Sequence, residues 1–401
     1  MNCNALAKYL DQPLYLDGHA TTPCTPGVVA AMMPYFTSSF GNPASSTHRY
    51  GNEAEDAVRR ARRAVAALIG ASPSEVTFTA SATEACNLVI KGGHWRRIVT
   101  LATEHKAVLA SCKSLAKDGV DVEVLQVRAD GTTDMALLTA ALSVPTDLVA
   151  VAGANNEIGT LQPVGAIAAA CRAAGALLFV DATQLVPWHA LNVEPLGADL
   201  LVFSGHKMHG PKGAAALYAS RQVRDRLVRQ IDGGGQEAGM RAGTANVPAI
   251  VGFGQAVAET SCRYDRVSRV RALRDQLLTN LRAGIGDLVV HGTMASRLPN
   301  NLCLSVPGIE ADVLLTRLPD LALSTGSACY SGAPEPSYVV RALGVSYQEA
   351  WSAFRIGLTH DITAEELDYA AGRIITEASG LRSIEGQLGP AGAKGVEKWA
   401  A

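Results

Sequence analysis

The sequence predicts an α/β fold, in which a large domain built on a mainly parallel seven-stranded sheet is joined to a smaller α+β domain. Three observations carry this. Between about residues 47 and 256, short apolar runs alternate with helical patterns. Several of those runs stop abruptly at a polar residue, as buried parallel strands do when they deliver side chains to one sheet edge. After residue 265 the alternation gives way to a long amphipathic helix and short strands.

Taken in order, residues 47–70 place Ala54, Val58, Ala61, Val65 and Leu68 at helical spacing, and Gly70 can end that helix. Its Arg59, Arg60, Arg62 and Arg63 read as a solvated face. Strand-like runs follow at 75–80, 97–102, 122–127, 148–153, 176–180, 200–203 and 214–218. Seven strands with helical crossovers imply a mainly parallel sheet covered on both faces. Beyond 265, a helix over 266–284 leads to strands near 288–290 and 300–306, then to a helix near 310–317. The last helix is opened by the capping box Thr363-Ala-Glu-Glu366. The expected large domain is 26–265, and the small domain combines 13–25 with 266–382. Residues 383–401 form a glycine-rich tail, mobile or used for docking.

A chain of 401 residues can bury a large core. With 48% hydrophobic and 18% charged residues and a net charge of −2, nothing pushes it toward nucleic acid or a membrane surface. No apolar stretch reaches the roughly 18 residues of a membrane span, and residues 1–15 lack the pattern of a signal peptide. A cytoplasmic protein is expected. The eight cysteines, at 3, 24, 86, 112, 171, 262, 303 and 329, include no C-x-x-C pair. Zinc ribbons and thioredoxin-like pairs are therefore unsupported, and no metal is expected. Cys86, Cys171 and Cys303 sit among apolar neighbours and read as core residues.

Five polar clusters follow strands. Thr77-Phe-Thr-Ala-Ser-Ala-Thr-Glu-Ala (77–85) runs from a strand into a helix start, where free N–H groups can bind a phosphate or simply be capped. Thr103-Glu-His-Lys offers His105 either as a stacking, proton-moving imidazole or as a loop histidine. Asn155-Asn-Glu-Ile-Gly can position a carboxylate or build an ordinary turn. Asp181-Ala-Thr-Gln184 offers a strand-end acid, equally suited to a magnesium ion or a helix cap. Against an ATPase, no G-x-x-x-x-G-K-[ST] is present. Ser204-Gly-His-Lys207 puts an amine directly after a buried strand, where partial burial suits imine chemistry. A carboxylate on one strand end and a lysine on the next are what a pyridoxal phosphate enzyme needs.

Read together, these runs resemble the cysteine desulfurases of the NifS/IscS-like type, fold type I pyridoxal phosphate enzymes grouped with the class V aminotransferases. The resemblance covers about residues 13–380. It includes Tyr-Leu-Asp-x-x-Ala-Thr-Thr-Pro (15–23), Phe-Gly-Asn-Pro-Ala-Ser (40–45), Gly-Met-Arg-Ala-Gly-Thr (239–244), Gly-Ser-Ala-Cys (326–329) and Glu-Pro-Ser-Tyr-Val-Val-Arg-Ala-Leu-Gly (335–344) beside the five clusters.

The resemblance implies that Lys207 holds pyridoxal 5'-phosphate through a Schiff base and removes the substrate α-proton. It implies Asp181 at the pyridine nitrogen, Gln184 at the phenolic oxygen and His105 stacked on the ring. Thr83, Ser204 and His206 would bind the phosphate, joined by Thr244 from the second subunit of a homodimer. Asn156 and Arg355 would hold the carboxylate of L-cysteine, and Cys329 would take its sulfur as a persulfide for an acceptor protein, most often in iron–sulfur cluster assembly. A selenocysteine lyase or a small aminotransferase shares the fold, although transamination needs no thiol. A non-catalytic sulfur-carrier scaffold is the reading from another class.

The chain departs from the family pattern in three places. Asp232-Gly-Gly-Gly-Gln-Glu-Ala stands where basic residues are frequent, Gly18-His19 precedes Ala-Thr-Thr, and Pro334 follows the cysteine segment.

Overall fold

Seven short apolar runs become the seven strands of one sheet, each within a residue or two of its predicted limits. The computed structural model describes residue 9, residues 12–326 and residues 335–388. Strand β1 (Leu14–Tyr15) comes first and pairs outside this sheet. The sheet comprises β2 (Val76–Thr79), β3 (Arg97–Leu101), β4 (Asp121–Leu125), β5 (Leu148–Ala152), β6 (Leu177–Asp181), β7 (Leu200–Ser204) and β8 (Ala215–Ala219). Their order is β2-β8-β7-β6-β5-β3-β4. Only β8 is antiparallel to its neighbours β7 and β2; the other pairings are parallel. Six strands thus point the same way, and their carboxyl ends gather on one edge, where open α/β sheets collect ligands.

The burial explains the runs. Every residue of β5, β7 and β8 is buried, as expected of strands covered on both faces. Val89, Ile98, Leu148, Phe179, Leu200 and Leu217 belong to the main core cluster. Around the sheet lie helices α1 (Pro26–Met32), α2 (Arg49–Leu68), α3 (Ala82–Gly92), α4 (Lys106–Lys117), α5 (Met135–Ala141), α6 (Val164–Ala174) and α7 (Val247–Arg263). The predicted stripe of α2 is buried at Ala54, Val58, Ala61 and Val65. Gly70 follows that helix with φ of +68°, the left-handed conformation that ends helices most cheaply at glycine. Gly254 of α7 lies so near Ala61 of α2 that a Cβ there would come within 2.9 Å of it.

Chain contacts divide the protein into two units. The larger takes Gly18–Val267 and Gly292–Pro299, and the smaller takes the described residues up to Asp17, Ser268–His291 and those from Asn300 onward. Residues 18–25, which the sequence pattern assigns to the small domain, therefore group with the larger unit. The reason is local: the Thr22 N–H donates to the His206 carbonyl at 2.9 Å, and the His209 N–H donates to Thr22 Oγ1 at 2.8 Å.

In the smaller unit, β9 (Val289–Val290), β10 (Asn301–Ser305), β12 (Ser324–Thr325) and β13 (Ala353–Gly357) form an antiparallel sheet in the order β12-β13-β10-β9, while β11 (Leu321–Ala322) pairs with β1. Helices α8 (Val267–Gly284), α9 (Ala311–Thr316) and α10 (Ala364–Leu388) accompany them. The capping box forms as expected: the Thr363 N–H donates to Glu366 Oε2 at 2.9 Å, and the Glu366 N–H to Thr363 Oγ1 at 3.2 Å. Residues 383–388, assigned from the sequence to a mobile tail, continue α10 instead, and the rest of that tail lies outside the described residues. No helix among the described residues is long and apolar enough to cross a membrane.

Candidate active site

Asp181 ends β6 and Ser204 ends the neighbouring parallel strand β7, with Lys207 closing the short turn Gly205–Lys207 that follows. The predicted acid and amine therefore leave adjacent strands at the same edge. Asp181 is 7% exposed; its Oδ1 accepts from the Thr183 N–H at 3.0 Å, and its Oδ2 makes no hydrogen bond among the described residues. Lys207 Nζ donates to the carbonyl oxygens of Ala20, at 2.7 Å, and of His19.

Gln184 is buried, and both ends of its amide meet one residue. Its Nε2 donates to the His19 carbonyl at 3.0 Å, and its Oε1 lies 3.1 Å from His19 Nδ1. One N–H of that amide is thereby engaged and the second is left for another acceptor.

His105 follows β3 and caps α4, its Nδ1 accepting the Ala107 N–H at 3.1 Å. The neutral ring therefore carries its proton on Nε2. Desolvation by the surrounding protein holds its pKa below the usual histidine value, although the residue keeps an open edge to solvent. Asp181 pulls the other way, while Lys207 and Lys106 reinforce the depression. Next to it, Glu104 is fully buried, and burial pushes its pKa up to about 8, with nearby Asp181 adding to the effect and the Ala152 N–H opposing it.

The Asn-Asn pair divides its labour. Asn155 builds the turn, accepting from the N–H groups of Glu157 and Ile158 at 2.8 and 3.0 Å and donating to the Thr103 carbonyl at 2.8 Å. Asn156 stands half-buried beside it.

Thr79 of β2 and Ser204 of β7 both register against Ala215 of β8. The start of α3, capped by Ser81 through the Glu84 N–H at 3.1 Å, thus shares an edge with Ser204. Thr83 is exposed in the first turn of α3. His206 Nδ1 lies 3.1 Å from Thr21 Oγ1, and burial, aided by Lys207 and Lys212, pushes its pKa down to about 4, so the ring is neutral.

Thr244 is exposed and lines a cavity of about 200 Å³ with Thr79, Gln236, Glu237 and Arg241. Arg355 belongs to the smaller unit, where its Nη2 donates to Asp17 Oδ1 at 2.7 Å and Ser324 Oγ at 2.8 Å. Ser324 registers against Arg355 across the β12–β13 pair, directly before the segment that carries the predicted nucleophile. Cys329 itself lies outside the described residues.

One edge of the larger unit therefore carries Lys207, Asp181, Gln184, His105, Asn156, Ser204, His206 and Thr83. A lysine amine, an acid with an open oxygen, an amide with a remaining N–H, and hydroxyl and N–H donors at a helix start fit a phosphorylated pyridine aldehyde.

Three participants lie beyond what the sequence pattern assigns: the clamp of His19 on Gln184, the buried acid Glu104, and the pair Arg62–Glu237. Arg62, expected on a solvated face, donates to Glu237 at 2.6 and 2.7 Å. The signals were faint: Glu104 sits inside the Thr-Glu-His-Lys run, and Glu237 inside the departed glycine-rich loop.

The model of the family described as Aminotransferase class-V matches residues 14–370. The chain belongs to this family. Among curated relatives, a protein named "Cysteine desulfurase IscS" from Anaeromyxobacter sp. (strain Fw109-5) is 45% identical over 379 residues, spanning 93% of this chain and 94% of that protein. A "Cysteine desulfurase" from Homo sapiens is 42% identical, spanning 93% of this chain and 83% of its own length. A solved structure titled "NIFS-LIKE PROTEIN" aligns with a TM-score of 0.85 and 33% identity over 92% of this chain and all of that one. The crystal structure of DndA from Streptomyces lividans aligns at 0.71 and 33% over 86% and 99%. A class V aminotransferase-family enzyme of this kind depends on pyridoxal 5'-phosphate, and the strand-end residues of the larger unit fit that cofactor.

Proposed function

We propose that this chain is a pyridoxal phosphate-dependent cysteine desulfurase, which converts L-cysteine to L-alanine and hands the sulfur on from Cys329. The observation that carries the reading is the Lys207 amine and the Asp181 carboxylate on adjacent parallel strand ends, in a chain that also carries Gly-Ser-Ala-Cys (326–329). When bound, the cofactor supplies an electron sink for the substrate α-carbon.

The chain's own groups do the rest. Lys207 takes the α-proton, and the His19 and Ala20 carbonyls receive its N–H groups when it is not covalently engaged. Asp181 offers Oδ2 to a protonated ring nitrogen, Gln184 its second N–H to a phenolic oxygen, and His105 its Nε2 to moving protons. Thr83, Ser204 and neutral His206 donate to the phosphate, and we assign Thr244 to the same task across a homodimer, supported by its exposure. Asn156 and Arg355 hold the substrate carboxylate, Arg355 with a guanidinium suited to two parallel bonds.

The Cys329 thiolate attacks the substrate sulfur. A sulfur–sulfur bond forms, the Cβ–S bond breaks, and the carbon receives a proton. Enzyme thiol plus cysteine becomes enzyme persulfide plus alanine, so no outside oxidant or reductant is required. An acceptor protein then takes the outer sulfur; iron–sulfur cluster assembly is the destination we favour, in keeping with relatives named IscS. The setting is cytoplasmic.

The test is Cys329→Ala with L-cysteine as substrate. The variant should bind the cofactor with an unchanged spectrum and release no persulfide or sulfide. Sulfur release at the parental rate would overturn the reading.

A further inference from the structure

His19 lies at one of the chain's departures from the family pattern, yet it is 1% exposed and buried against the strand-end residues. Two hydrogen bonds join it to Gln184. A backbone carbonyl only accepts, so the amide group facing the His19 oxygen at 3.0 Å must be the NH2. That sets the orientation of the whole amide and turns Oε1 toward the imidazole, 3.1 Å from Nδ1. An amide oxygen also only accepts, so the proton of this contact is on Nδ1. The carbonyl therefore excludes the flipped amide, which would set oxygen against oxygen, and the ring, donating from Nδ1 to Oε1, holds the amide in the orientation that remains.

The His19 backbone is anchored separately. Its carbonyl, with that of Ala20, accepts from Lys207 Nζ while that amine is free. The backbone that presents them is tied to the loop after β7, with Thr22 Oγ1 and the Thr22 N–H both donating to the His206 carbonyl at 2.9 Å. His19 is thus fixed from its backbone, and its ring can act as a rigid stop for Gln184 rather than following it.

We infer that His19 is a positioning residue, which orients the Gln184 amide so that its second N–H faces the phenolic oxygen of the bound cofactor. This rests on the cofactor reading above. The consequence is electronic. A hydrogen bond to that oxygen stabilises its anionic form and withdraws basicity from the neighbouring imine, so loss of the bond raises the fraction of protonated, longer-wavelength cofactor at fixed pH.

The experiment uses purified holoenzyme and compares His19→Asn with His19→Leu. The two side chains share a branched shape, and only Asn keeps a donor near the place of Nδ1. Absorbance at a fixed, mildly alkaline pH should be near parental for His19→Asn. It should move toward the longer-wavelength band for His19→Leu, in the same direction as for Gln184→Met. The double variant His19→Leu/Gln184→Met should move no further than Gln184→Met alone, because the histidine acts only through the glutamine. Parental spectra for His19→Leu, or shifts that add in the double variant, would overturn the inference. If His19→Leu does not fold, a His19→Asn spectrum displaced as far as that of Gln184→Met would overturn it equally. A parental enzyme that binds no cofactor would instead overturn the functional reading, so the two failures are distinct.

Discussion

Arg62 grips the Glu237 carboxylate with both terminal guanidinium nitrogens, at 2.6 and 2.7 Å, and its Cζ lies 4.7 Å from the centre of the Phe78 ring. Glu237 Oε2 also accepts the Phe78 N–H at 2.8 Å, tying the loop to the sheet's outer strand β2. The arrangement holds Glu237 and Ala238 at φ of +52° and +53°, where residues other than glycine are strained. A few residues on, Arg241 reaches Glu84 of α3 at 2.9 Å. The loop bearing Thr244 is thus pinned at two points.

From this pairing, Arg62→Ala should destabilise the protein by about 3–5 kcal/mol, since it leaves a buried carboxylate without its cation. Chemical denaturation measures this. A loss below about 1 kcal/mol would class the pair with surface ion pairs.

Lys207→Ala should cut alanine formation from L-cysteine by about 10²- to 10⁴-fold or more, since it removes the proposed base. The measurement is single-turnover alanine production with cofactor added in excess. Parental rates would remove Lys207 from the mechanism.

His105 has a depressed pKa, caused first by desolvation. A lowered pKa keeps the ring neutral to lower pH. The acid limb of the kcat profile should therefore fall below the ordinary histidine value of about 6.5, and His105→Gln should abolish that limb. An acid limb above that value in the parental enzyme would contradict the assignment.

Glu104 titrates at about 8 in the folded protein, against roughly 4.3 in an unfolded chain. Between these values the native state holds a proton that the unfolded state has lost. Stability therefore falls as pH rises through this window, by up to about 1.4 kcal/mol per pH unit, and levels off above it. Glu104→Gln removes that slope. Its stability relative to the parent should rise from pH 5 to pH 8 and then stay constant, and a flat difference throughout would show that Glu104 is ionised when buried.

Local patterns were the legible part. The strand ends at Asp181 and Ser204 announce themselves because apolar β-runs stop where the sheet meets solvent. The stripe of α2 and the capping box at Thr363 are equally local, depending on residues within a turn or two of each other. Arg62 escapes local pattern for the same reason. Its neighbours Arg59, Arg60 and Arg63 are exposed, and nothing within the helix signals the carboxylate 175 positions away.

Residue order is enough to specify the seven-strand sheet, the acid and amine on successive strand ends, and the motifs that place the chain in its family. Side-chain period and residue chemistry carry that information along the chain. The packed fold alone lays residues 18–25 along the loop after β7 and brings His19 to Gln184 and Lys207 across 165 and 188 positions. It alone buries Glu104, and that burial raises the pKa of its carboxyl. Those outcomes depend on which distant groups become neighbours once water is excluded, and that is a property of the packed chain rather than of any segment within it.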